Sequence, residues 1–150
     1  MINVNMRTPT KLCRLFLPGM IRRGTGGIIN IASTGSYVAG PYNAVYCASK
    51  AYLLSLSEAI PFEMRESPIQ VLAVCPGATK TGFSKRADME STWLFRIGVM
   101  HPRQVARAAY QAFQQGKHRT VVGGLNKAMI LAQKLLPRYV GTWVSGLIQR

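Results

Sequence analysis

With 150 residues and 48% hydrophobic content, the chain can bury a core, which excludes simple disorder. Its formal net charge is +14 and unevenly spread: all five acids fall between Glu58 and Glu90, while residues 91–150 carry nine Lys/Arg and no acid. Three widely spaced cysteines (Cys13, Cys47, Cys75) without a Cys-x-x-Cys pair argue against a disulfide scaffold or zinc module, and no apolar run is long enough for a spanning helix.

Residues 2–20 read as a helix with Leu12, Leu15, Phe16 and Met20 on one face and Pro9 starting or kinking it. Leu15-Phe16-Leu17, followed by Pro18, is too short for the apolar core of a secretory signal. Arg22-Arg23-Gly24 closes the helix. Gly26-Gly27 then leads into Ile28, Ile29 and Ile31 and on to Ser33-Thr34, the pattern of a buried strand delivering Ser33 to its carboxyl end. After a turn rich in Gly, Pro and Tyr, a helix is expected from Ala44 to about Glu66, kinked near Pro61. Ile69 to Val74 is a second buried strand ended by Cys75-Pro76-Gly77, so the two strands and the helix form a right-handed βαβ unit. Further on, Pro102 opens a helix to about Gln115, and Arg119 to Gly123 is a short last strand. Helical segments at Leu125–Leu136 and Tyr139–Ile148 are separated by Pro137. His101 and His118 read as surface or capping residues.

The chemistry concentrates at Ser33, Tyr46 and Lys50. Tyr46 follows Ser33 by thirteen residues, and Tyr46 and Lys50, four apart, share one helix face. A free tyrosine, with a pKa of about 10, is a weak acid–base catalyst at neutral pH, and a neighbouring ammonium is expected to lower that value. A serine hydroxyl opposite can hold a carbonyl or alcohol oxygen against the phenol. Proton transfer at oxygen implies hydride transfer at the adjacent carbon, and side chains carry no hydride, so a nicotinamide is implied. Tyr-x-x-x-Lys alone is a weak signal; with a serine at this spacing, after a Gly-Gly-apolar strand, it is strong.

Those residues resemble the short-chain dehydrogenase/reductase family: Ile28-Ile29-Asn30-Ile31-Ala32-Ser33, Gly40-Pro41-Tyr42, Tyr46-Cys47-Ala48-Ser49-Lys50-Ala51 and Pro76-Gly77-Ala78-Thr79-Lys80-Thr81. The likeness runs from about Ile2 to Phe83 and within the family leans toward DltE-like or hydroxysteroid-dehydrogenase-like reductases. It implies an α/β fold, the C-terminal part of a Rossmann-type doubly wound parallel sheet with flanking helices. It further implies NAD or NADP as cofactor and a small alcohol or carbonyl substrate. Tyr46 would be the general acid/base, Ser33 the substrate-orienting hydroxyl, and Lys50 the cation that tunes Tyr46 and clamps a ribose. Asn5 would bend its helix and anchor a proton relay. Asn5 also fits an N-cap ahead of Pro9, and Asn3 competes for the relay.

By the same likeness, the loop carrying Pro76, Gly77, Thr79 and Thr81 covers the nicotinamide. Tyr42 and Tyr37 line the substrate side or serve only turn packing; both readings stand. Residues 1–83 would be the catalytic core, 84–100 a substrate lid, and 101–150 the C-terminal helices and last strand of a partial cofactor-binding domain. No Gly-rich phosphate fingerprint lies between a first strand and a first helix: Gly24-Thr25-Gly26-Gly27 precedes a strand, and Gly123-Gly124 lacks the spacing. The chain therefore reads as a C-terminal portion of a family member, cytoplasmic and homo-oligomeric at full length. The alternative is an inactive basic module binding a membrane or an acidic partner. No nucleic-acid motif accompanies the charge. The tail, which mixes Met129, Leu131, Leu135 and Trp143 with Lys127, Lys134 and Arg138, would rest on an anionic membrane or pack on protein.

Overall fold

The computed structural model describes residues 1–82 and 98–148; most of the expected lid segment lies outside them. A π-helical turn at Asn3–Arg7 runs directly into α1, Thr8–Arg23. Strand β1 is Gly27–Ile31, followed by a 3-10 turn at Thr34–Tyr37 and by α2, Ala44–Glu63. Strand β2 is Gln70–Cys75. Then come α3 (Pro102–Gln114), β3 (Arg119–Val121), α4 (Gly124–Leu135) and α5 (Arg138–Ile148). The sheet has the order β1-β2-β3 and is parallel throughout, with Gly27 opposite Gln70 and Ala73 opposite Arg119. The α/β class with a parallel sheet and flanking helices is thus as expected.

The central strand explains the layering. Val71, Leu72, Ala73, Val74 and Cys75 are wholly buried, because alternate side chains enter opposite layers. Val71 packs with Cys13 and Leu17 of α1 and Ile60 of α2, and Ala73 and Cys75 pack with Leu54 of α2. Leu72 and Val74 meet Ala109 and Ala112 of α3 on the other side. Within the first layer Asn30, buried in β1, donates from Nδ2 to Ser57 Oγ (2.9 Å), and Ser57 donates to the Leu53 carbonyl (2.6 Å). This satisfied pair ties β1 to α2 where an unpaired amide would be costly.

Several local expectations need correction. β1 is not buried on both faces: Ile29 and Ile31 are 40% and 49% exposed, since α3 packs on β2 and β3 and reaches β1 only at Gly27, over which Phe113 lies. The packed face of α1 is Cys13, Leu17 and Met20, while Leu12, Leu15 and Phe16 face outward. Helix α2 ends at Glu63, so Pro61 lies in its last turn, where the missing N–H removes a single bond close to the helix end. His101 is a cap: its Nδ1 accepts from Arg103 N–H, and its own N–H donates to Gln104 Oε1, a reciprocal capping pair.

Two outcomes follow. Leu72→Ala empties a site with no exposure and should cost about 2–5 kcal/mol, read as a lower urea midpoint with an unchanged slope. Burial also pushes the thiols of Cys13, Cys47 and Cys75 above their ordinary 9.0, and burial beside Cys75 raises the Tyr37 phenol far above 10.0. These groups stay protonated in the folded chain while the unfolded chain ionises. Their contribution is therefore complete below the unfolded values and is lost as pH rises through the folded ones. Lys50, pushed down by burial, has the opposite sign, its contribution being lost as pH falls, but it is one group against five, since burial raises the Tyr46 phenol as well. The denaturation midpoint should be flat below about pH 8 and fall above about pH 9, and Cys75→Ala should make that fall shallower.

Candidate active site

Two parallel strands joined by a helix end on the same side of the sheet, and a cleft of about 560 Å³ opens there. It is lined by Asn5, Ser33, Tyr46, Lys50, Pro76, Gly77, Thr79 and Thr81 from the first half of the chain. Asn126, Met129, Ile130 and Gln133 of α4 and Ser145 of α5 complete the opposite wall.

Ser33 is the first residue past the end of β1 bar one, and the ladder continues beyond the strands to hold it. Ala32 N–H donates to the Val74 carbonyl (2.8 Å) and Thr34 N–H to the Pro76 carbonyl (2.9 Å). Ser33 is extended and caps the 3-10 turn, its Oγ accepting from Gly35 N–H (3.0 Å). That bond uses one acceptor position and leaves the hydroxyl hydrogen to be directed elsewhere. Ser36, the neighbouring hydroxyl, donates to the Lys50 carbonyl (2.9 Å) and so braces the turn against α2.

Tyr46 and Lys50 occupy the first two turns of α2, with the Lys50 ammonium 5.8 Å from the Tyr46 ring centroid. Lys50 Nζ donates to the Ile31 carbonyl (2.8 Å), pinning the helix to the edge strand. Burial pushes the Tyr46 phenol above its ordinary value, against a smaller lowering from hydrogen bonding with Ser33. The expected net lowering by Lys50 is therefore not what this arrangement gives. Burial dominates the phenol, and the same burial pushes the lysine down.

Asn5 lies in the π-helical turn, not at an N-cap, for the chain is already helical on both sides of it. Its Nδ2 donates to Ser49 Oγ (3.0 Å), and Ser49, almost fully buried, donates to the Tyr46 carbonyl (2.8 Å). Asn3 is exposed and does not line the cleft. Tyr42 stands apart too: it is 68% exposed, has a left-handed φ of 65°, and is not part of the lining. Tyr37 packs inward with its hydroxyl 3.7 Å from Cys75 Sγ, so turn packing describes it.

The loop after β2 is held from outside. Thr79 forms an isolated bridge with Met100, and Thr79 Oγ1 donates to the Gly77 carbonyl (3.0 Å). Asn126 of α4 donates to the Val122 carbonyl (2.7 Å) and packs so closely over Gly77 that an added Cβ would lie 2.5 Å from its Nδ2. Ser49 and Asn126 escape a sequence reading. The first stands between Tyr46 and Lys50, but its bond to Asn5 joins residues 44 apart in the chain. The second joins the site only through the tertiary path of α4. Among the described residues no group of His, Cys, Asp or Glu is placed to hold a metal ion.

A family model described as short chain dehydrogenase matches residues 1–91. The chain belongs to the short-chain dehydrogenase family. It is 31% identical over 145 residues to the ketoacyl reductase HetN of Nostoc sp., covering 92% of this chain and 50% of that protein. It is 38% identical over 143 residues to 2-keto-3-deoxy-L-fuconate dehydrogenase of Xanthomonas campestris, covering 81% and 47%. Among solved structures, a short-chain dehydrogenase from Sphingobium yanoikuyae in complex with NADPH superposes with a TM-score of 0.75 at 27% identity, covering 91% of this chain and 56% of that one. The chain thus spans about half the length of these relatives.

The contact between Gly77 and Asn126 yields a test. Gly77→Ala should lower stability by about 1–3 kcal/mol by forcing Asn126 off the Val122 carbonyl. Asn126→Ala should cost less in that background than in the native one. A four-protein urea cycle measures the coupling, and simple additivity would refute the contact.

Proposed function

We propose that this chain carries the catalytic half of an NAD- or NADP-dependent oxidoreductase acting on a small alcohol or carbonyl compound. The observation that carries this reading is the gathering of Ser33, Tyr46 and Lys50 on one cleft at the strand ends, with Asn5 behind them. The residues present fit the nicotinamide end of such a cofactor. Its apolar walls suit a flat ring, the Lys50 ammonium suits ribose hydroxyls, and the Thr79 and Thr81 side chains with the backbone at Pro76-Gly77 suit an amide. Bound there, the cofactor supplies the hydride donor or acceptor.

The chain's own groups handle the proton and the orientation. Ser33 Oγ holds the substrate oxygen while Tyr46 gives it a proton in the reductive direction and removes one in the oxidative direction. The raised phenol value keeps Tyr46 protonated at neutral pH, the form that reduction requires. Lys50 stabilises the phenolate left behind, and a carbonyl–ammonium bond to Ile31 holds it at the edge of the cleft. Asn5, fixed by Ser49, anchors the path by which the proton is replaced from solvent. The three cysteines, all free and buried, suit a reducing cytoplasm.

The test is turnover of a carbonyl panel with NADH and NADPH by the purified chain. Tyr46→Phe is expected to lower kcat by about 10²–10⁴-fold while cofactor affinity changes little. A Tyr46→Phe protein that keeps its rate would remove Tyr46 from the proton transfer and sink this reading.

A further inference from the structure

Helices α4 and α5 each have two distinct sides. Inward, Ile130 and Ser145 are buried and help line the cleft. Outward, Leu131 and Leu135 follow one another a turn apart on α4 and are 62% and 80% exposed. On α5 the outward stripe is Tyr139, Trp143 and Leu147, again at four-residue spacing, with exposures of 76%, 67% and 50%. Exposed cations accompany both: Lys127 and Lys134 on α4, and Arg138 at the first position of α5. No acid occurs anywhere in residues 91–150.

We infer that the outer face of α4 and α5 docks in the plane of an anionic lipid bilayer. Leucines and aromatics flanked by cations on a short helix form the pattern of an interfacial segment: the apolar side enters the acyl boundary and the cations meet the headgroups. At 12 and 11 residues neither helix can span the membrane, so the pair lies along it. Charge selects this occupant. A second copy apposing the same face would bring Lys127, Lys134 and Arg138 against their own counterparts, and the described acids Glu58, Glu63 and Glu66 lie on or just after α2. A nucleic acid would satisfy the cations but leave Leu135 and Trp143 unburied. The docking is independent of the oxidoreductase reading.

Cosedimentation of the full 150-residue chain with phosphatidylcholine vesicles, with and without phosphatidylserine, tests it. Binding should require the anionic lipid and weaken as salt is raised. Replacing Lys127, Lys134 and Arg138 together by Gln should weaken binding by roughly a hundredfold, at about fivefold per charge. Leu135→Ser with Trp143→Ser should weaken it at least about tenfold. Leu15→Ser with Phe16→Ser, exposed on α1 instead, should leave it unchanged. Absence of binding to the anionic vesicles would overturn the inference, as would equal loss in the α1 variant. So would a dimer that Trp143→Ser dissolves in a chain that ignores vesicles, or duplex-DNA binding of equal strength that survives Leu135→Ser with Trp143→Ser.

Discussion

The parallel pairing of β1 with β2 is the constraint on which the cleft depends. Its ladder runs past the assigned strands, through Ala32 to Val74 and Thr34 to Pro76, so the residues just beyond the sheet are fixed as firmly as those within it. Because the strands are parallel, both finish on the same side, and the 20-residue helix between them begins on that side. One ladder therefore brings together a hydroxyl from one strand end, a Pro-Gly backbone from the other, and the first turns of α2. A slip of one residue would turn Val71, Ala73 and Cys75 toward α3 and Leu72 and Val74 toward α1 and α2. The unequal sizes of those two side-chain sets resist it.

Around that ladder the polar groups are tied down by bonds to the backbone. Lys50 reaches the Ile31 carbonyl, Ser36 the Lys50 carbonyl, Ser49 the Tyr46 carbonyl and Asn126 the Val122 carbonyl. Each such bond fixes a rotamer that would otherwise be free. The π-helical turn at Asn3–Arg7 belongs to the same scheme, since it sets the amide of Asn5 within reach of Ser49. Local departures from the α-helix recur at functional sites for this reason: they re-aim one side chain without breaking the helix.

Much of this was legible from the chain alone. Glycines before an apolar run and hydroxyls after it placed Ser33 at a strand end; a four-residue spacing placed Tyr46 and Lys50 on one face; Pro76-Gly77 marked where β2 stops. What could not be read depends on neighbours distant in sequence. The exposure of Ile29 and Ile31 follows from which strand α3 covers, and apolar periodicity carries no such information. On α1, Leu12, Leu15 and Phe16 form a more apolar stripe than Cys13, Leu17 and Met20, yet the latter face the sheet. The direction of the Tyr46 shift turns on how deeply the ring is buried, whereas spacing reports only that a cation is near. For Tyr42 the sequence leaves substrate contact and turn packing open, and only the folded chain shows that it is exposed, with a left-handed φ, outside the cleft lining. The role of α4 as a cleft wall, with Asn126 over Gly77, is invisible until the chain has returned across the sheet.

The uncovered side of β1 has a further consequence, colloidal in nature. Among the described residues β1 is an edge strand; Lys50 occupies the Ile31 carbonyl, while the exposed side chains of Ile29 and Ile31 leave one face of that edge apolar. Opposing this is a net charge of +14, which keeps copies apart over distances set by the ionic atmosphere. At low ionic strength repulsion reaches across tens of ångströms; at about 0.15 M it shrinks to roughly 8 Å. Salt thus weakens the one force that opposes contact along this edge, so the balance between charge and apolar surface is set by the surroundings as well as by the fold.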